Sequence, residues 1–184
     1  MSGCDANPMW LFGYGSLMWD GWETAYTCAR RMPADLPGHA RVFNKKSLER
    51  WGTHARPGLT LNLARTGACR GMAFAFDDGA RSDIEAYLNH RETCEATEVA
   101  VRLPDGTEVG ALTYIYGGPR LIDEDLSLHA RASMIVEASG IAGSSYAYIK
   151  GVREHLTELG VTDAAVDELW QAVATLKDGA RDRE

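Results

Sequence analysis

The stretch from Thr97 to Tyr116 limits the possible folds more than any other. "TEVAVRL" and "TEVGALTYIY" are strand-type runs that meet at Pro104-Asp105-Gly106. Proline presets one backbone dihedral of that turn and glycine supplies a positive one. A tight hairpin of this kind means antiparallel neighbours, where an alternating βαβ chain would need long crossovers. Further strand signals precede it. Met9–Phe12 is an apolar run, "LTLNLA" (59–64) alternates leucine with polar residues as a half-buried strand does, and "GMAFAF" (71–76) carries Met72, Phe74 and Phe76 at period two as its expected neighbour. "ADLPGHA" (34–40) reads as a turn-rich connection and "ARVFNKKSLER" (40–50) as a basic stretch.

Helical signals frame these strands. Ser82 followed by Glu85 resembles a capping box opening "SDIEAYLNHRET". Leu128–Ser139 and Ser145–Leu159 each run into a glycine, Gly140 and Gly160, where a left-handed cap is expected. Thr162 is placed to cap a last helix with Val166, Leu169, Trp170, Val173 and Leu176 on one face, ended by Gly179. The sum is an α+β chain with strands in the first half and middle, one central helix and a helical C-terminal third. At 184 residues it reads as a single domain over 1–184, with frayed tails at 1–8 and 180–184.

The formal charge of −7 argues against non-specific binding to nucleic acid or an anionic membrane. No apolar run approaches the roughly 18 residues of a membrane span, and "MSGCDANPM" lacks the pattern of a signal peptide. Cys4, Cys28, Cys69 and Cys94 are scattered, with no C-x-x-C pair. A cytoplasmic protein is expected.

The opening "LFGYGSLMWDGW" (11–22) is where chemistry is first expected. Gly13 and Gly15 begin a dinucleotide fingerprint, but Met18 stands where its third glycine belongs. A phosphate-binding P-loop would need a lysine that is not there. A nucleophile elbow centred on Ser16 would need glycines where Tyr14 and Met18 stand. Two readings remain: a tight turn after a core strand, or a backbone N–H cradle for an anion or carbonyl. The central helix supplies a partner for the second. Ile84, Leu88 and Glu92 are spaced i, i+4, i+8, which lines a carboxylate up with core-facing residues. The alternative is that Glu92 lies past the helix end, exposed or paired with Arg91.

Taken in order, "FGYGSLMW", "GTHARPGLTLNLA" (52–64), "AYLNHRE" (86–92), "ALTY" (111–114) and "ASGIAGSSYAYIKGVREHLTELGV" (138–161) resemble the ChaC family of γ-glutamylcyclotransferases. The resemblance spans about residues 9–175. The Ser-Leu ending of the loop is similar to this branch, whereas related small cyclotransferases look like Tyr-Gly-Ser-Asn. The resemblance implies the γ-glutamylcyclotransferase-like fold, a small, mainly antiparallel β-barrel with peripheral helices. It also implies cleavage of glutathione to 5-oxoproline and cysteinylglycine, with no cofactor and no metal. Carried over by position, Tyr14, Gly15, Ser16 and Leu17 form the substrate-binding loop, Glu92 is the catalytic acid/base, and Tyr114 and Tyr146 line the pocket. The chain departs from the family after the Arg-Glu pair, where "RETCEATEV" has neither the usual glycine nor the aromatic, and more mildly at "SSYAY". Those departures bear on which γ-glutamyl amine is the substrate. The same cyclisation on another γ-glutamyl amine, and a non-catalytic γ-glutamyl-binding protein, are the alternatives.

The segment from Arg41 to Arg56 sets Arg41, Lys45, Lys46, Arg50 and Arg56 against one carboxylate, Glu49. Arg41 and Arg56 are candidates to receive a substrate carboxylate, against the plainer reading of a solvated basic face. His90 and Cys94 are i, i+4 with no third ligand at fitting spacing, His54 reads as an exposed loop residue, and the five tryptophans read as core or pocket wall.

Overall fold

The computed structural model describes residues 8–122 and 125–181. In chain order the elements are β1 (Met9–Gly13), β2 (Cys28–Pro37), β3 (Ala40–Ser47), β4 (Gly58–Ala64), β5 (Ala68–Phe76), α1 (Arg81–Glu92), β6 (Thr97–Arg102), β7 (Glu108–Thr113), α2 (Leu128–Glu137), β8 (Ser139–Gly140), β9 (Gly143–Ser144), α3 (Ser145–Glu158) and α4 (Ala164–Arg181). The expected frayed tails at 1–8 and 180–184 lie largely outside the described residues, as does Cys4. The chain divides into two compact units, one of the residues up to Ala40 with Arg65–Tyr116, the other of Arg41–Ala64 with the residues from Gly117 on. The fold is α+β, and no helix among the described residues is long and apolar enough to cross a membrane.

The first unit is a closed five-stranded barrel in the order β1-β5-β2-β6-β7. Its pairs are antiparallel except the closure, where β1 runs parallel to β7 with Trp10 opposite Ala111 and Leu11 opposite Leu112. The hairpin is as expected: Val101 pairs with Val109 and Gly106 takes φ +87°. Period two also holds in β5, where Phe74 and Phe76 are buried, but Ala73 and Ala75 between them are buried too. Both faces of β5 are therefore covered, and only alanine-sized residues fit the second. Gly71 answers to a closer approach: a Cβ there would lie 2.3 Å from the Gly13 carbonyl oxygen, where β1 opens into the glycine loop.

Several expectations need correction. β5 pairs with β1 and β2, while "LTLNLA" forms β4, which is buried along almost its whole length and pairs with β3. Ala34–Pro37 belongs to β2, so the connection shrinks to a turn at Gly38 and His39. The Ser82 capping box does not form. A 3-10 turn at Asp78–Ala80, capped by Asp77, feeds α1 directly, and Glu85 instead pairs with Arg81 at 3.2 Å.

In the second unit, Gly160 takes the expected left-handed conformation with φ +67°, but α2 ends at Glu137 and Gly140 serves the short β8–β9 hairpin. A Cβ at Gly140 would lie 2.2 Å from the Glu49 carbonyl oxygen. Glycine is needed there for backbone approach, not for a helix cap. α4 is capped by Asp163, which accepts from Val166 N–H at 3.3 Å, where Thr162 was expected, and it passes through Gly179 to Arg181. Val166, Leu169 and Val173 are buried along it as the spacing predicts.

Candidate active site

The glycine loop begins where the parallel β1–β7 pair ends. Thr113 Oγ1 donates to the Phe12 carbonyl at 3.0 Å, and just beyond the two strand ends the Tyr14 hydroxyl donates to the Tyr114 carbonyl at 2.6 Å. After Gly15 the chain closes one 3-10 turn, Ser16–Met18, with Met18 N–H on the Gly15 carbonyl at 2.9 Å. The first amides of such a turn have no carbonyl behind them. Accordingly, no protein acceptor is found among the described residues for the N–H groups of Ser16 and Leu17.

Packing pins this turn from below. Leu17 and Met18 are buried, and Trp22 Nε1 donates to the Leu17 carbonyl at 3.1 Å. The Trp22 ring in turn sits edge-on to Phe74, at 5.5 Å between centroids, and 5.4 Å from Phe76. The Arg31 guanidinium donates to the Met18 carbonyl. An aromatic anchored on the barrel thus fixes the loop.

Glu92 is the last residue of α1. Ile84 and Leu88 are fully buried, as the i, i+4, i+8 spacing requires, and the Glu92 side chain is 21% exposed. Both sequence readings are therefore partly realised, because Glu92 ends the core-facing stripe and also pairs with Arg91. Arg91 Nε lies 3.2 Å from Glu92 Oε1, a charge contact in which the N–H is not aimed along the line of centres. Arg91 Nη2 donates to Ser16 Oγ at 3.1 Å and to the Asp20 carboxylate. Burial works against the Arg91 charge, but the hydrogen bond and charge of Asp20 and the charge of Glu92 outweigh it, so the guanidinium is held charged.

Tyr114 is 3% exposed and its hydroxyl has no hydrogen-bond partner among the described residues. Burial first, then the negative charge of Glu92, push its phenol well above the ordinary value. It therefore remains a neutral O–H donor, and its proton is uncommitted. Thr93, just after Glu92, caps α1 in the left-handed region at φ 61°, ψ 27°. It is the one non-glycine residue with positive φ among the described residues, and it stands where the resemblance led a glycine to be expected. β-branched residues rarely occupy that region, and strain of this kind concentrates beside functional groups.

The structure thus brings together Tyr14, Gly15, Ser16, Leu17, Tyr114 and Glu92 in the first unit. Arg91, read from sequence only as a surface pairing partner, and Asp20, not singled out at all, join them. No sequence signal connects positions 20 and 91, which meet only through the fold. The other candidates belong to the second unit. Arg41 is buried, and its guanidinium contacts Asp163 at 3.2 Å. Arg56 is exposed in the turn Thr53–Arg56. The Tyr146 ring stacks on Trp170 at 5.4 Å and lies under the Lys177 ammonium at 4.3 Å.

The model of the ChaC-like protein family matches residues 9–176. The chain belongs to that family. Among ChaC-like and related proteins, the glutathione-specific γ-glutamylcyclotransferase of Escherichia coli is 30% identical over 94% of this chain and 75% of its own. Gamma-glutamylcyclotransferase 2-3 of Arabidopsis thaliana is 30% identical over 90% of this chain and 88% of its own. In fold, this ChaC-like chain superposes on a γ-glutamylcyclotransferase specific to glutathione from yeast with a TM-score of 0.77 at 20% identity, covering 91% of this chain and 96% of that one. The fold is thereby the γ-glutamylcyclotransferase-like one.

Proposed function

We propose that this protein is a glutathione-specific γ-glutamylcyclotransferase with Glu92 as its general base and acid. One observation carries the reading: at the end of β1 and β7, a carboxylate, a turn with free amides and a buried unpartnered phenol converge. That set suits a reaction in which the substrate supplies both nucleophile and electrophile. The α-ammonium of the γ-glutamyl group loses a proton to Glu92, and the freed amine attacks the γ-carbonyl carbon of the same molecule. The γ-carbonyl oxygen takes up negative charge and is met by the Ser16 and Leu17 amides, donors already in place before charge develops. Collapse breaks the γ-amide C–N bond as Glu92 returns its proton to the departing nitrogen. The second proton, shed by the attacking nitrogen as it becomes the lactam N–H, is taken up by the released cysteinylglycine amine, which leaves as an ammonium. The products are 5-oxoproline and cysteinylglycine, with no water consumed.

The protein's main contribution is to hold the γ-glutamyl chain folded, since a well-oriented intramolecular attack saves about 7–11 kcal/mol of barrier. Proton transfer by Glu92 adds roughly 10²–10⁴-fold. Tyr114 donates its free O–H to the bound γ-glutamyl group. The Tyr14 hydroxyl gives its proton to the Tyr114 carbonyl and so fixes the first residue of the loop. Incubation with glutathione and a panel of other γ-glutamyl amines, with assay of 5-oxoproline, tests this reading. Lactam from glutathione is expected. Lactam only from other amines reassigns the substrate, and none from any amine leaves a binding protein.

A further inference from the structure

We propose that Arg91 is a positioning residue that locks Glu92 and the glycine loop into one fixed geometry, with Asp20 holding the guanidinium in place. The inference rests on the cyclotransferase reading and adds to it a group that never meets the substrate. Glu92 is the final residue of its helix, and helix ends fray. Its carboxylate also stands on a backbone that leaves the helix through a left-handed threonine. The Ser16–Met18 turn is a separate short element, 75 positions away from Arg91 in sequence. Proton transfer requires these two to keep a fixed separation, because a base misplaced by about 1 Å costs on the order of a hundredfold.

The Arg91 side chain is 6% exposed and faces both elements. One Nη bonds the Ser16 hydroxyl and the Asp20 carboxylate, and Nε stands against Glu92. A guanidinium can do this because its donors form a rigid planar fork, whereas an ammonium is a single point charge. Asp20 comes from the same loop segment and is held too, since Trp22 N–H donates to its other oxygen at 3.3 Å. The ring of contacts therefore runs from the loop through Asp20 and Arg91 to Glu92. Ser16 closes it on the turn whose amides are free. In this role Ser16 is an acceptor for Arg91, which explains a hydroxyl in the loop without making it a nucleophile.

Steady-state kinetics of the full chain on glutathione, with 5-oxoproline as readout and unfolding followed in parallel, test this with Arg91→Gln, Arg91→Lys and Asp20→Asn. Arg91→Gln should lower kcat about a hundredfold with KM within about twofold, the mark of an arrangement needed only in the transition state. Arg91→Lys should keep the charge and not restore kcat. Asp20→Asn should lower kcat about tenfold, again at unchanged KM. On a Glu92→Gln background the Arg91 change should add nothing. A folded Arg91→Gln with wild-type kcat, or one in which KM alone rises, overturns the proposal, as does full activity in Arg91→Lys. If Arg91→Gln does not fold, Asp20→Asn decides in the same way: wild-type kcat sinks the proposal and a drop at constant KM supports it. Wild-type protein that releases no lactam from any γ-glutamyl amine removes the cyclotransferase reading and this inference with it. An active wild type with indifferent variants removes this inference alone.

Discussion

The Tyr14 hydroxyl donates to the Tyr114 carbonyl at 2.6 Å, across 100 positions of sequence. This bond ties the first residue of the glycine loop to the end of the strand beside which the loop emerges. Tyr14→Phe keeps the ring and removes the tie. The expected cost is about 1 kcal/mol of stability and roughly a tenfold loss of kcat/KM, which corresponds to about 1.4 kcal/mol in the transition state. Denaturant unfolding and a glutathione titration check the two figures. Unchanged activity would mean that the loop holds its shape without the bond.

Tyr114→Phe should separate stability from activity. It removes a buried hydroxyl that has no hydrogen-bond partner among the described residues, so the fold should be unchanged or more stable by up to about 1 kcal/mol. Turnover should nevertheless fall about tenfold, because a donor to the substrate is gone.

The same variant has a signature in pH. The pKa of the Tyr114 phenol is raised above the ordinary tyrosine value of about 10 in the fold, by burial and then by the negative charge of Glu92. Below that value folded and unfolded chains both hold the proton, and pH does not act through this group. As pH climbs past it, the unfolded chain releases the proton while the folded one keeps it. Stability then declines by at most about 1.4 kcal/mol per pH unit. Alkaline unfolding of Tyr114→Phe should be shallower than that of wild type by this one proton. Identical alkaline curves would contradict the burial of the phenol.

Thr93→Gly should stabilise the protein by about 0.5–1 kcal/mol, the left-handed penalty of a β-branched residue less the extra chain entropy of glycine. Thermal unfolding is the check, with an increase of about 1–4 °C expected for a chain of this length. A decrease would mean that the threonine side chain holds contacts worth more than its backbone strain.

In the second unit, Asp163 both caps α4 and neutralises the buried Arg41. Asp163→Ala should cost about 1–3 kcal/mol, since it removes a helix cap and a charged hydrogen-bond partner of a buried guanidinium. A loss under 1 kcal/mol in chemical denaturation would show that Arg41 does not depend on Asp163. This pairing gives the Arg41 charge a structural use that a run of basic residues cannot disclose.

How much of this was legible in the sequence depended on the range of the forces involved. The hairpin at Gly106, the left-handed Gly160 and the apolar faces of α1 and α4 follow from local rules, and they stand as expected. Pairing partners depend on the whole sheet, so "LTLNLA" could be read as a strand but not as a neighbour of β3. Local cap signals failed where a competing element took the residues. Asp77 begins a 3-10 turn ahead of Ser82, and Asp163 displaces Thr162. The loop and Glu92 were visible because motif and spacing mark them. Arg91 and Asp20 were not, since their role exists only once the ends of α1 and the loop are brought together.

Release of 5-oxoproline from glutathione by wild type and by Glu92→Gln, at matched concentration of folded protein, tests the central claim most directly. Wild type should form lactam and cysteinylglycine in equal amounts, and Glu92→Gln should lose at least about 10²-fold in kcat while unfolding like wild type. Full lactam formation by Glu92→Gln would contradict the assignment of Glu92 as the group that moves the proton.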